Sequence, residues 1–498
     1  MNEFASQVPS LMQSIREGIP YFLPEIVLIA TFVCVIVTDL FFPGKKSVYT
    51  LGVGIAGIAV SLFFSVLQFQ ALSEPLRLFH GSLTIDRVAG IFKILFSGIV
   101  LVYALFIRGN TRLQDHVKGP GDLYLLLPGV LLGLNLMAMS SGLLMIYLSI
   151  EMISIVSYLM VGYVSDSPRQ SEAAMKYALF GGVCSAIMLY GISLLYAFTG
   201  TLILSNPAFM NGLSEMPQAA VAIAVILVLV GIGFKLSFVP LHFWSPDVYE
   251  GAPLPVTAFL STGPKLAGFA ILLRFLDPYY AFQANGHATV FDFMPVLSLI
   301  GISSMIVGNF AAIWQDNVKR MLAYSSIGHT GLLMMAVVVH SANGVKALIF
   351  YLMMYAIMNM AAFIFAAKIE EGSGAINISD YKGLGRKFTL EMVCFVVILM
   401  SLTGLPPLAG FIGKVLIFTA AIEQYSSTSS VWLLLLLIVA AITTVVSLFY
   451  YFKIPLNAFL RSSEKMENMT PKRDFLTYIA VVLTMLLLVW GIMPGMLV

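Results

Sequence analysis

The sequence predicts an all-α polytopic membrane protein of about fourteen transmembrane helices. Of its 498 residues, 59% are hydrophobic and only 10% are charged, whereas soluble domains carry about 25% charged residues. Apolar runs of spanning length recur along the whole chain, and the basic residues segregate between alternate loops. So few charges exclude a soluble multidomain protein, a coiled coil and a disordered chain. The net charge of +2 also argues against a nucleic-acid partner.

Fourteen apolar runs are long enough to cross a membrane, which takes about 20 residues per helix. They cover residues 22–41, 50–72, 86–107, 122–140, 142–163, 171–199, 217–245, 254–276, 290–313, 319–340, 344–367, 388–423, 431–455 and 474–496. These runs are too long for barrel strands, which need only about 9–11 residues. We expect the first run to be a retained span, because no small-residue cleavage site follows it.

The lysines and arginines outside these runs predict the orientation. Loops on the side of both termini hold five basic residues, and the opposite loops hold seventeen. The positive-inside rule makes the richer side cytoplasmic. We therefore expect a bacterial inner-membrane protein with both termini periplasmic and the basic loops in the cytoplasm. Dropping one span would mix the two sets of basic residues, which supports the count of fourteen.

Six ionisable residues remain inside the spans, where each charge costs about 2.5–3.5 kcal/mol at a helix centre. They are Lys93, Lys176, Lys235, Lys265, Lys414 and Glu151. Lys93 and Lys176 lie near span ends, where a long side chain can snorkel to the interface; we expect this for Lys93 and keep it as an alternative for Lys176. Glu151 and Lys265 lie near span centres, where a functional role or a structural ion pair is expected.

Two of the lysines belong to spans that are interrupted by proline. Lys235 shares the seventh span with Pro240, and Lys414 shares the twelfth with Pro406–Pro407. Proline removes a backbone donor, and unwound backbone inside a membrane needs protein or a water-filled cavity around it. Transporters built from inverted repeats carry broken helices at corresponding positions. The odd offset of five spans predicts two repeats, the second inverted relative to the first, with broken helices 7 and 12.

The buried groups suit proton relay better than cation binding. Burial disfavours a charged lysine and a nearby carboxylate favours it, so moving Glu151 relative to Lys235 would load or release a proton. A histidine can donate and accept at once, so His242 and His329 are candidate bridges; hydrogen-bonded packing histidines are the alternative. Sodium prefers several oxygen ligands. The candidate proton path comprises Glu151, Lys176, Lys235, Lys265, His329, Lys414 and His242.

Residues 234–265, FKLSFVPLHFWSPDVYEGAPLPVTAFLSTGPK, resemble the antiporter-like membrane subunits of respiratory complex I. The resemblance extends to shorter motifs at residues 23–25, 148–151, 175–177, 320–326 and 405–414. It implies a fourteen-helix fold with inverted repeats in spans 4–8 and 9–13. The corresponding segments are 1–120 (helices 1–3), 121–285 (first repeat), 286–460 (second repeat) and 461–498 (helix 14).

The resemblance also implies a role for each matching residue. Glu151 corresponds to the glutamate that partners the seventh-span Lys235, Lys265 to the central lysine and His329 to the tenth-span histidine. Lys414 corresponds to the terminal proton-transfer residue. Subunit M of the family usually has glutamate at this last position and subunit L has a long C-terminal extension. Lys414 and the end of this chain at Val498 therefore favour subunit N.

The function expected from this resemblance is that of a translocase subunit of an NADH:quinone oxidoreductase. Proton movement would be coupled to quinone reduction in partner subunits, among them sibling antiporter-like membrane subunits. We expect no cofactor and no redox centre in this chain, because NADH, flavin, iron–sulfur clusters and quinone would belong to the partners. Its three cysteines form no CxxC pair. Two alternatives stay open: a subunit of a multi-protein sodium/proton antiporter, and a structural scaffold in the bilayer.

Overall fold

The computed structural model describes residues 12–42, 47–164, 167–462 and 471–493, together with residues 9 and 495. Almost all of the described chain is helical. The spanning helices and the pieces of the two broken ones are α1 (Met12–Phe41), α2 (Val48–Ala71), α3 (Arg87–Gly109), α4 (Gly121–Met139), α5 (Leu143–Val161), α6 (Pro168–Thr199), α7a (Gln218–Leu236), α7b (Trp244–Gly251), α8 (Leu254–Ala284), α9 (Phe293–Ile313), α10 (Val318–Val339), α11 (Ala342–Ser373), α12a (Thr389–Thr403), α12b (Ala409–Thr428), α13 (Val431–Pro455) and α14 (Phe475–Ile492). Short helices also cover Thr111–Gln114 and Pro207–Ser214.

The polytopic all-α prediction is confirmed. Within the described residues, 13 helices are long and apolar enough to cross a membrane. The predicted twelfth span is the one that does not qualify as a single helix, because it is divided into pieces of 15 and 20 residues. Counted with these two pieces, the number of spans is the predicted fourteen. The repeat boundaries at residues 121–285 and 286–460 stay a prediction.

Both predicted helix breaks are present. Helix α7a ends at Leu236, where Ser237 turns to a φ of +56°, and Pro240 follows. Helix α12a ends before Gly404, at a φ of +89°, with Pro406 and Pro407 beyond it. A left-handed residue closes the last helical turn, and the prolines cannot continue it. The two breaks therefore release backbone polar groups inside the membrane-spanning bundle.

A small β-hairpin between α2 and α3 was missing from the all-α prediction. Strand β1 (Leu76–Leu78) pairs antiparallel with β2 (Leu83–Ile85), and the turn places Phe79, His80 and Gly81 at positive φ. Leu78 and Leu83 pack with Ala89 and Met139 in a small separate core. Strands of three residues are too short to show a periodic pattern in the sequence.

The innermost helices of the bundle are α8, α10 and α11, whose apolar segments are almost wholly buried, whereas α1, α2 and α13 are mostly exposed. The exposed helices present large apolar side chains at the surface, as a lipid-facing surface requires. The inner three carry Lys265, His329, Tyr351 and Tyr355.

Ion pairs join neighbouring helices of the bundle. Asp86 caps α3 by accepting a hydrogen bond from the backbone of Ala89, and it binds both terminal nitrogens of Arg274 at 2.6 Å each. Burial alone would raise the pKa of the Asp86 carboxyl, but the Arg274 guanidinium and the cap hydrogen bonds hold it below its usual value. Lys368 forms a similar link at 2.7 Å to Asp474, which joins α11 to the start of α14.

Candidate proton path

Lys235 lies in the last turn of α7a, immediately before the helix break, with 3% of its surface exposed. Trp244, at the start of α7b, closes the break by donating a hydrogen bond of 3.0 Å to the Phe234 carbonyl. The ring of Trp244 stacks on Tyr177, and the Tyr177 ring centroid lies 6.0 Å from Lys235 Nζ. Within the described chain Nζ has no hydrogen-bond partner. The amine therefore lies beside aromatic rings, and its N–H groups have no hydrogen-bond acceptor among the described residues.

Glu151 of α5 lies within electrostatic range of Lys235 but does not touch it. The described residues include no ion pair within 4.0 Å between the two side chains; Glu151 instead accepts a hydrogen bond from Ser185 of α6. Glu151 is half-buried and Lys235 is buried. The pair predicted from the sequence is thus arranged as two neighbours, one of which would have to move for direct contact.

Lys265 lies near the middle of α8 with 1% of its surface exposed. Its Nζ donates to the Ser326 carbonyl at 2.9 Å, to the Thr330 hydroxyl at 2.9 Å and to the Ser326 hydroxyl. Ser326 and Thr330 are four residues apart and share one face of α10. The amine is therefore enclosed by three oxygen acceptors from a single helix.

Thr330 connects Lys265 with the break in α7. Its hydroxyl lies 3.1 Å from the carbonyl of Leu236, the residue after Lys235, and 3.0 Å from the Ser326 carbonyl. A hydroxyl has one proton to donate and can accept from the lysine at the same time. Thr330 thus joins the first broken helix to the central lysine.

His329 follows Gly328 on α10 and is hydrogen-bonded at both ring nitrogens. Nδ1 lies 2.9 Å from the Tyr351 hydroxyl and Nε2 lies 3.2 Å from the Tyr451 hydroxyl. The Tyr355 hydroxyl contacts Ser326 at 2.6 Å, beside Lys265. A neutral imidazole donates through one nitrogen and accepts through the other. His329 is therefore hydrogen-bonded on both sides, which fits a bridging histidine and a packing histidine alike; its bridging role stays a prediction.

Lys414 of α12b lies beside the second break and donates a hydrogen bond of 2.7 Å to the Thr403 carbonyl, which the break has freed. Gly404 leaves space for it: a Cβ at that position would lie 2.7 Å from Lys414 Cδ. Lys414 and His329 line the same cavity, with a volume of about 20 Å³, whose wall also includes Asn309. Such a cavity has room for about one water molecule.

Two predicted path residues lie apart from this line. Lys176 is 38% exposed and pairs with Glu172 and Asp247 at 2.7 Å each, in a cluster that Arg320 completes. His242 lies in the α7 break with its Nδ1 buried and unpartnered, and its ring packs on Phe243. No hydrogen bond within the described chain links His242 to a lysine.

The expectation that Lys93 snorkels to the interface is wrong. Its side chain is wholly buried, with Nζ 2.8 Å from Glu25 Oε1 and 2.9 Å from Gln68 Oε1. Asn135 of α4 donates to the same Glu25 oxygen at 3.3 Å. An ion pair inside the protein removes the need to reach the interface. Glu25 could have been found from the sequence as a carboxylate near the start of the first span, which our count of buried charges omitted.

Sequence reasoning also missed the tyrosines Tyr351, Tyr355 and Tyr451, which provide the contacts of His329 and Ser326. Buried tyrosine hydroxyls generally have a hydrogen-bond partner. The spacing of Tyr351 and Tyr355 on one face of α11 was the available signal. Among the described residues, no group of three or more His, Cys, Asp or Glu is placed to hold a metal ion. The clustered groups are amines, a carboxylate, an imidazole and hydroxyls, whose shared chemistry is the exchange of protons.

Two broken helices and a line of buried ionisable side chains between them define an antiporter-like membrane protein. The family described as NADH:quinone oxidoreductase/Mrp antiporter, TM, matches residues 140–447. The chain belongs to this family.

Relatives in the family are similar over nearly the whole chain. NADH-quinone oxidoreductase subunit N 2 of Chloroherpeton thalassium is 40% identical over 465 residues, which cover 92% of this chain and 89% of that protein. Subunit N of Chlorobium chlorochromatii is 38% identical, with 92% and 88% covered.

Solved structures show the same fold. A chain of respiratory complex I from Thermus thermophilus superposes with a TM-score of 0.77 at 31% identity, covering 95% of this chain and 97% of that one. A chain of the Mrp complex from Dietzia has a TM-score of 0.79 at 20% identity, with 95% of each chain covered. This second likeness concerns the fold alone.

Proposed function

We propose that this chain is a proton-translocating membrane subunit, of the subunit N type, of an NADH:quinone oxidoreductase. Protons pass along Glu151, Lys235, Lys265, His329 and Lys414 while partner subunits reduce quinone. The observation that carries the proposal is the run of contacts from the α7 break through Thr330 to Lys265, and from Ser326 beside Lys265 to Tyr355 of α11. The subunit N relatives support the same assignment.

The chemistry of the path favours protons over sodium. Its central groups are the amines of Lys235, Lys265 and Lys414, all buried, and an amine repels a metal cation when charged. Hard cations such as sodium require several oxygen ligands instead. The hydroxyls and the imidazole between the lysines can each donate and accept a proton, which a relay requires.

In this proposal, Lys176 and His242 lie where protons enter the path. Lys176 borders a polar pocket of about 200 Å³ that Asp247, Glu250 and Arg320 also line, large enough for several water molecules. His242 stands in the break between that pocket's helix α7b and Lys235. We propose that water entering this pocket brings protons towards the α7 break.

The chain is a multi-pass membrane protein, and several of its structural relatives are parts of multi-subunit complexes. We propose that it lies in a bacterial inner membrane with both termini periplasmic. Its partners are then the other membrane subunits of the complex, including sibling antiporter-like subunits. In this proposal the chain performs no redox chemistry itself, and NADH, flavin, iron–sulfur clusters and quinone are held by the partners.

The proposal is tested with the assembled complex in proteoliposomes, where NADH-driven quinone reduction and proton uptake are measured together. Lys265→Met and Glu151→Gln are expected to lower the protons moved per NADH oxidised severely, because each removes a group that gains and loses a proton. Lys118→Ala, at an exposed lysine, is the control and should pump normally. Normal pumping by both path variants in fully assembled complex would leave only a scaffold role, and sodium uptake in place of proton uptake would favour the antiporter alternative.

A further inference from the structure

A large groove separates the N-terminal helices from the second half of the bundle. It has a volume of about 760 Å³ and is lined by side chains of α2, α3, α11 and α12b. Sites for small organic ligands generally have volumes of about 300–1,000 Å³. The proton path does not use this groove, although α12b also carries Lys414.

The groove has a charged rim at one end. Lys346 lies in the second turn of α11, and Glu423 lies near the end of α12b; both are exposed. Asn343 donates a hydrogen bond of 3.1 Å to Glu423 Oε2, which fixes the carboxylate. Lys346 has no hydrogen-bond or ion-pair partner among the described residues. The rim therefore offers one free cation and one oriented anion side by side.

The rest of the groove is mostly apolar. Moving inward from the rim, α11 contributes Ile349, Phe350 and Met353, and α12b contributes Ala420 and Leu416. Met353 is seven residues from Lys346 and Leu416 is seven residues from Glu423, so each apolar wall runs about 10 Å inward from its charge. The two walls thus reach the same depth, with both charges at the same end.

We propose that this groove binds a phospholipid with a primary amine in its headgroup, phosphatidylethanolamine. The phosphate pairs with Lys346, the ammonium donates hydrogen bonds to Glu423, and an acyl chain lies along the apolar walls. An anionic headgroup would satisfy Lys346 but would face the Glu423 carboxylate. A quaternary ammonium would carry the right charge but has no N–H to donate. The charge pattern of the rim therefore selects the zwitterionic lipid with a free amine.

The test uses the purified complex in detergent, supplied in turn with phosphatidylethanolamine, phosphatidylcholine and phosphatidylglycerol. Lipid retained per complex is measured by native mass spectrometry or by extraction. We expect phosphatidylethanolamine to be retained about fivefold more strongly than either other lipid, which is the size expected from one exposed charge contact. Equal retention of the phosphatidylcholine would refute the amine contact with no variant needed.

Variants of the rim locate the site. Glu423→Gln and Lys346→Gln should each reduce phosphatidylethanolamine retention about fivefold, and Thr419→Trp should block the groove for every lipid. Glu74→Gln and Arg77→Gln, at exposed charges between α2 and α3, are the matched controls and should change nothing. Unchanged retention in the rim variants, or a crosslink from Thr419→Cys to another protein subunit in the groove, would overturn the proposal. None of these readouts depends on proton pumping.

Discussion

Removing Lys93 should destabilise the protein, because it would leave a buried carboxylate without its partner. Lys93 and Glu25 form a fully buried ion pair at 2.8 Å, with Gln68 and Asn135 as its additional hydrogen-bond partners. Breaking a buried pair from one side costs about 3–5 kcal/mol, whereas replacing both charges is often neutral. Lys93→Met and Glu25→Gln should therefore each destabilise strongly, and the double variant should recover most of the loss.

For a chain of this length, the cost of 3–5 kcal/mol corresponds to a decrease in Tm of roughly 3–5 °C, from an unfolding entropy of about 2.1 cal/mol/K per residue. Thermal unfolding of the purified protein in one detergent, followed by intrinsic fluorescence, measures all four members of the cycle. We expect the wild type and the double variant to have similar Tm values, and both single variants to have lower ones. Additive losses in the double variant would contradict a direct interaction between the charges.

Three further predictions concern other contacts. Asp86→Asn keeps the α3 cap but loses the pairing with Arg274. Since the folded-state pKa of Asp86 is lowered, the stabilisation from the charged carboxylate is complete above the unfolded pKa and disappears as the pH falls through the folded pKa. The difference in Tm between wild type and variant should therefore close below about pH 3.8. Thr330→Val should lower proton pumping by at least half while Thr330→Ser retains it, because only the serine keeps the hydroxyl that joins Lys265 to the Leu236 carbonyl. Equal pumping by both would exclude this hydroxyl from the path. Lys176→Gln should leave most proton pumping intact, since Lys176 is partly exposed and lies outside the central line; a loss as severe as that of Lys265→Met would place it in the path.

The membrane class, the number of spans and both helix breaks were predictable from sequence because each depends on local composition. Apolar length defines a span, and proline ends a helix whatever surrounds it. The same logic fails where the cause is distant. The β1–β2 hairpin depends on packing against Met139. This contact is not visible in a window of local sequence.

The candidate proton path shows the same division. Lys235, Lys265 and Lys414 were found because a charge within an apolar run stands out in one dimension. The hydrogen-bond partners of Lys265 and His329 were not found, because Thr330, Tyr351 and Tyr451 are ordinary residues for an apolar helix. They gain significance only from the side chains opposite them. Lys93 is buried because it pairs with a carboxylate 68 positions earlier in the chain, and no helical periodicity connects residues at that separation.

The hydrogen bonds around the two neighbouring lysines differ in a way that bears on how a proton is passed. Three acceptors surround Lys265 Nζ, matching the three N–H donors of a charged ammonium. A neutral amine has only two N–H donors, so proton loss would oblige the Ser326 or Thr330 hydroxyl to turn and donate to the nitrogen. Lys235 Nζ has no acceptor in the described chain, so its N–H groups would find a partner only when Glu151 or water approaches. Because Thr330 also reaches the carbonyl of Leu236, the residue after Lys235, turning its hydroxyl would change the hydrogen bonding at Lys265 and at the α7 break together. In the proposed relay, this links the release of a proton from Lys265 to the backbone beside Lys235.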